Sequence, residues 1–105
     1  MKQITKFWNW FQDNHQMIYN LQTETAKKRK HINFWMLKHL NYYSTGISYI
    51  ITFQKRPKKK ATLIITANGN PEYFRVVTDL IDQAPVIKNW TFEAFIQPTE
   101  DLELV

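Results

Sequence analysis

"LIITANGNPEYF", residues 63–74, decides how this chain folds, because it admits three readings. An apolar, β-branched run leads into Asn68-Gly69 and then Asn70-Pro71-Glu72. It can be a hairpin turn, a glycine loop that holds phosphate, or a strand that hands over to a helix. A hairpin needs a second strand, but residues 71–84 read "PEYFRVVTDLIDQA", where Phe74, Val77, Leu80, Ile81 and Ala84 recur at helical spacing. Asn70 suits an N-cap, Pro71 suits the first helical position, where a missing N–H costs nothing, and Glu72 complements the positive helix end. Proline also biases Asn70 towards the extended geometry of a cap. The reading is therefore a strand-to-helix turn with Gly69 at positive φ and a helix that stops before Pro85. The phosphate reading is disfavoured, because the turn is succeeded by no Gly-Lys-Ser/Thr and no further glycine.

Upstream of this stretch the hydrophobic period is 2. In "ISYIITF", 47–53, Tyr49, Ile51 and Phe53 share one side; in "ATLIITA", 61–67, Leu63, Ile65 and Ala67 do. The connector 55–60 is "KRPKKK", so the two strands are expected to form an antiparallel hairpin with a basic tip. Further upstream the period is 3.6. Ile4, Phe7, Trp8, Phe11, Ile18 and Leu21 give a first helix over about 3–21. Ile32, Trp35, Met36, Leu40 and Tyr43 give a second, with Asn33 as a candidate cap and Gly46 as terminator. "QTETAKKRK" between them reads as a frayed continuation or a linker. Downstream, "WTFEAFI" (90–96) alternates again, with Trp90, Phe92, Ala94 and Ile96 inward. The expected architecture is α+β in the order ααββαβ, a small mixed or antiparallel sheet with helices on one face. It forms one domain over 1–98, and residues 99–105 are an acidic tail or the start of another strand.

Composition bounds the function. The 105 residues hold 44% hydrophobic and 15% aromatic side chains, enough for a core. No cysteine is present, which removes disulfides, thiolate metal sites and cysteine nucleophiles. No apolar run reaches the roughly 18 residues of a membrane span, and the N-terminus lacks a signal-peptide core. The expectation is a soluble, cytoplasmic protein with no membrane partner. The formal charge is +5, and nine of the fourteen Lys and Arg lie in "KKRK" (27–30) and "KRPKKK" (55–60).

"FWNWF" at 7–11, "LIITANGNPEYFRVVTDLIDQAP" at 63–85 and "WTFEAFIQP" at 90–98 together form a spaced pattern. It resembles a domain-of-unknown-function family of small bacterial proteins, with an aromatic N-terminal helix, a strand ending in Ala-Asn/Asp-Gly, a helix leading to Ala-Pro, and a Trp-containing strand ending near Gln-Pro. The resemblance implies an α+β fold and supplies no catalytic residue. The lysine-rich hairpin departs from that pattern, and related sequences run on into further strand-like sequence where this one stops.

Chemistry finds little purchase. His15, His31 and His39 form no i, i+4 pair, and 31 and 39 lie about two helical turns apart. Asp79 and Asp82 flank Leu80 and Ile81 and read as a solvated outer face, as does Glu93. Serine occurs only at 44 and 48, neither in a nucleophile elbow. The expectation is therefore a non-enzyme with no catalytic, cofactor or metal residues and no small-molecule substrate. Two binding surfaces are expected instead. The aromatic surplus points to a protein interface, as a homo-oligomer or with another protein, using Trp8, Trp10, Trp35, Tyr42 and Tyr43. Lys55, Arg56, Lys58, Lys59 and Lys60 form an alternative surface for nucleic acid or another anion.

Overall fold

A computed structural model describes residues 2–20, 25–53 and 60–95. The chain runs through α1 (Lys2–Tyr19), α2 (Ala26–Tyr43), β1 (Ser48–Phe53), β2 (Ala61–Thr66), a single 3-10 turn (Pro71–Tyr73), α3 (Phe74–Asp82) and β3 (Trp90–Phe95). The order ααββαβ and the α+β class are as the hydrophobic periods dictate. The sheet is mixed, with β2 in the middle. β1 pairs antiparallel with it, Ser48 opposite Thr66 and Phe53 opposite Ala61. β3 pairs parallel, Ala61 beside Trp90 and Thr66 beside Phe95.

One face of the sheet carries all three helices. Tyr49, Ile51 and Phe53 of β1, Leu63 and Ile65 of β2, and Trp90, Phe92 and Ala94 of β3 pack into one cluster with Ile4, Phe7, Trp8, Phe11 and Ile18 of α1, Met36 and Leu40 of α2, and Val77 and Leu80 of α3. Aromatic edges make the joint: Trp8 meets Phe92 and Phe11 meets Trp90, each with centroids 4.9 Å apart and nearly perpendicular rings. That geometry sets the positive ring edge on the negative face of its neighbour. The Trp8 indole N–H also donates to the Leu80 carbonyl at 2.9 Å, tying α1 to α3 inside the core. The Trp90 indole Nε1 is buried with no partner among the described residues.

The turn at 67–70 behaves as its residues require. Asn68 and Gly69 both sit at positive φ, 58° and 79°, and the Asn70 N–H closes the turn on the Ala67 carbonyl at 3.1 Å. Asn68 tolerates this backbone better than most residues and is held by its side chain, which donates to the Gly46 carbonyl and pairs with the Ser48 hydroxyl. The Asn70 side chain accepts from the Glu72 N–H, and Pro71 begins the 3-10 turn that feeds α3.

The second helix differs from expectation. It begins at Ala26, six residues before the first apolar position, and its N-cap is Thr25, whose hydroxyl accepts from the Lys28 N–H. Asn33 is an interior residue that receives the Tyr49 hydroxyl. "KKRK" is thus the opening of α2 rather than a linker, since the cap makes helix of a segment that has no apolar stripe of its own. α1 ends at Tyr19, and Leu21 and Ile96 lie outside the described residues.

Candidate functional site

Helices α1 and α2 run antiparallel over the sheet, and a groove tracks their outer seam. Ile32, Met36 and Leu40 take the buried stripe of α2. That leaves His31, Trp35, His39 and Tyr42, spaced by four, four and three, along the seam and outside it. From α1 the matching positions are Gln3, Lys6, Trp10, Asn14 and Met17. Two hollows result, about 480 Å³ by Gln3, Lys6 and Tyr42 and about 330 Å³ by Asn14, Met17 and His31. Between them the imidazole of His39 stacks on the Trp10 indole, centroids 4.3 Å apart and rings 17° from parallel.

Contacts on the α2 side are mostly ring on ring. Phe34 meets Trp35 edge-on at 5.3 Å, and His39 meets Tyr42 edge-on at 5.4 Å. The Trp35 indole N–H donates to the His31 Nε2 at 3.2 Å, one turn away. The Lys38 ammonium lies 5.1 Å from the Trp35 ring and 5.6 Å from that of Phe34, within cation–π range. Burial pushes the His39 pKa down, and the neighbouring Lys38 charge adds to it, so this imidazole favours its neutral form.

The expected interface residues divide. Trp10, Trp35 and Tyr42 come together along the seam, and Tyr42 is 62% exposed. Trp8 is corrected from interface to core: it is 3% exposed, wedged between Phe7, Phe11 and Phe92. Tyr43 is half-buried, and its hydroxyl donates to the Val76 carbonyl at 2.7 Å, a structural tie between α2 and α3. Phe34, 56% exposed, lines neither hollow but packs beside the seam against Trp35 and Lys38. Its signal in the sequence is its place one turn before Lys38 on the side of α2 opposite Met36. Of the basic hairpin, Lys60 alone is described and is half-buried; Lys55, Arg56, Lys58 and Lys59 lie outside the described residues.

The back of the sheet forms a second surface. Three rows cross it: Ser48, Thr66, Phe95; Ile50, Ile64, Glu93; and Thr52, Thr62, Thr91. The described elements leave it open, with Ile50 48% and Phe95 43% exposed. Thr62 and Thr91 share a hydroxyl hydrogen bond of 2.7 Å across β2 and β3.

Among the described residues no group of three or more His, Asp and Glu is placed to hold a metal ion. Asp79 lies 3.9 Å from the Arg75 guanidinium, and Asp82 and Glu93 are exposed. No described helix is long and apolar enough to cross a membrane. No protein-family model, curated protein or solved structure matches the chain.

Proposed function

We propose that this protein is a non-catalytic interaction module that self-associates through the open back of its sheet. The observation that carries this reading is an open sheet face on which Ile50 and Phe95 stand exposed in a cationic molecule. Ile50, Ile64 and Phe95 lie among Ser48 and four threonines, with Glu93 as the one charge among the paired strand residues of that face. Two copies that repel through their +5 charge meet there on strand residues that carry no cation. A two-fold contact between identical faces is self-complementary, and sheets stack about 10 Å apart in this way. Three strands about 4.8 Å apart, each about 20 Å long, give a face well below the ~800 Å² per partner of a standard interface. The dimer is therefore weak and concentration-dependent. Membership in the small bacterial family that the sequence resembles, and a cytoplasmic setting, belong to the same proposal; the cysteine-free composition supports the latter.

Sedimentation equilibrium over a hundredfold concentration range tests it. The mass should rise from monomer towards dimer in the micromolar range, hold at high salt, and stay at monomer in Ile50→Lys. A monomer at every concentration, or a dimer indifferent to Ile50→Lys, overturns the reading.

A further inference from the structure

We infer that the outer face of α2, on the opposite side of the molecule from the open sheet, is a binding surface for single-stranded nucleic acid. Its 18 residues carry Lys27, Lys28, Arg29, Lys30 and Lys38 and no carboxylate, a local charge of +5. Charge alone describes many solvated helices. What sets this one apart is the order in which cations and rings alternate. Lys27, His31, Phe34 with Trp35, Lys38 and Tyr42 succeed one another at steps of three and four, so they form one stripe. From Lys27 to Tyr42 it spans about 22 Å at 1.5 Å per residue. Phe34 and Tyr42 are more than half exposed, so ring surface is open to a ligand even though Lys38 lies over one face of Phe34.

Single-stranded chains are bound by this combination: cations track the phosphates while aromatic faces stack with bases, each stack contributing about 1–3 kcal/mol. The seam extends the surface onto α1, where Lys6 adds a cation and Gln3 offers an amide to base edges. Asp13 is the one carboxylate on α1. A duplex fits less well, because Phe34, Trp35 and Tyr42 project where a groove-reading helix presents polar groups, and bases within a duplex hide their faces. An anionic bilayer is disfavoured too. Ile32, Met36 and Leu40 are buried in the core, so α2 has no aliphatic face left to sink into lipid.

The test titrates the full chain into a fluorescein-labelled oligothymidylate of about 15 nucleotides, a length within the usual site range. The same titration uses a duplex of equal length and vesicles of phosphatidylserine and phosphatidylcholine. Oligothymidylate should bind, quench tryptophan fluorescence, and weaken with salt at a log–log slope of about −3 if Lys6, Lys27, Lys30 and Lys38 each meet a phosphate. Phe34→Ala with Tyr42→Ala should lower affinity at least tenfold while leaving the urea midpoint in place, since both rings are exposed. Lys27→Glu with Lys38→Glu should flatten the salt slope. The inference is overturned by no binding, by tighter binding to duplex or vesicles, or by unchanged affinity in the ring variants. Binding lost only when Lys58, Lys59 and Lys60 become Glu also overturns it.

Discussion

The ring of Tyr73 lies directly on Gly46: a Cβ added to that glycine would sit 2.5 Å from two of the ring carbons. Gly46 is also at φ +85°, where side chains are rarely accommodated. Gly69 shares the positive φ, at 79°, but nothing lies within 4 Å of its would-be Cβ. The two glycines therefore separate backbone strain from steric conflict. Gly69→Ala should cost about 1 kcal/mol, the strain alone. Gly46→Ala should cost about 2–4 kcal/mol, because Tyr73 must leave its site as well. Urea unfolding of both variants checks this; equal losses would show that Tyr73 yields freely.

Trp8 contributes both a ring and a donor to the core. Trp8→Phe keeps most of the ring and removes the bond to the Leu80 carbonyl. That carbonyl also accepts from the Gln83 N–H at 3.3 Å, so it is not orphaned, and the loss should stay near 1 kcal/mol. Trp8→Ala empties a fully buried site and should cost about 3–5 kcal/mol. Thermal or urea denaturation distinguishes the two.

Burial pushes the Tyr49 hydroxyl up to about 12. The unfolded chain ionises near pH 10, so the folded state holds this proton more tightly. The contribution is complete below pH 10 and is lost as pH rises towards 12. Unfolding midpoints should fall across that window. Tyr49→Phe should start lower at neutral pH, having lost its bond to Asn33, and fall less steeply. Some decline should persist, because burial and nearby Asp79 also raise the Tyr43 pKa.

The first turn of α2 sets Lys27 and Lys28 against the positive end of the helix dipole, with no acid in that turn. Thr25→Asp keeps the capping oxygen and adds the missing negative charge. It should raise stability by about 0.3–1 kcal/mol at low salt, and the gain should shrink with added salt. Thr25→Ala should lose about 1 kcal/mol. Calorimetry at two salt concentrations reads both.

The fold was legible in the sequence wherever burial is one-sided. β1 and β2 alternate because one face is roofed and the other open, so their period of 2 appears in the letters. Asn70-Pro71-Glu72 names its own helix start. α2 hid its beginning for the opposite reason. Its first apolar core residue is Ile32, and the rings of Phe34, Trp35 and Tyr42 lie outside the buried stripe, which blurs the period. Thr25 three residues before Lys28 was the available signal, and a capping hydroxyl without a hydrophobic run behind it is easily passed over. The seam was half visible: Trp10, Trp35 and Tyr42 stood out as excess aromatics. Trp8 looked the same in composition, and separating it from them needs the depth of the core, which is set by β3, more than eighty residues downstream.

That distance has a consequence for how the protein is made. The sheet partners of Trp8 and Phe11 are Phe92 and Trp90, and β3 is joined to β2 through the connecting helix. A nascent chain can zip the β1–β2 hairpin early, since such pairing closes locally within microseconds. Its first helix, however, emerges from the ribosome with Trp8 and Phe11 lacking their sheet partners until residue 92 has been translated. Until then those two rings are apolar surface that a chaperone can cover.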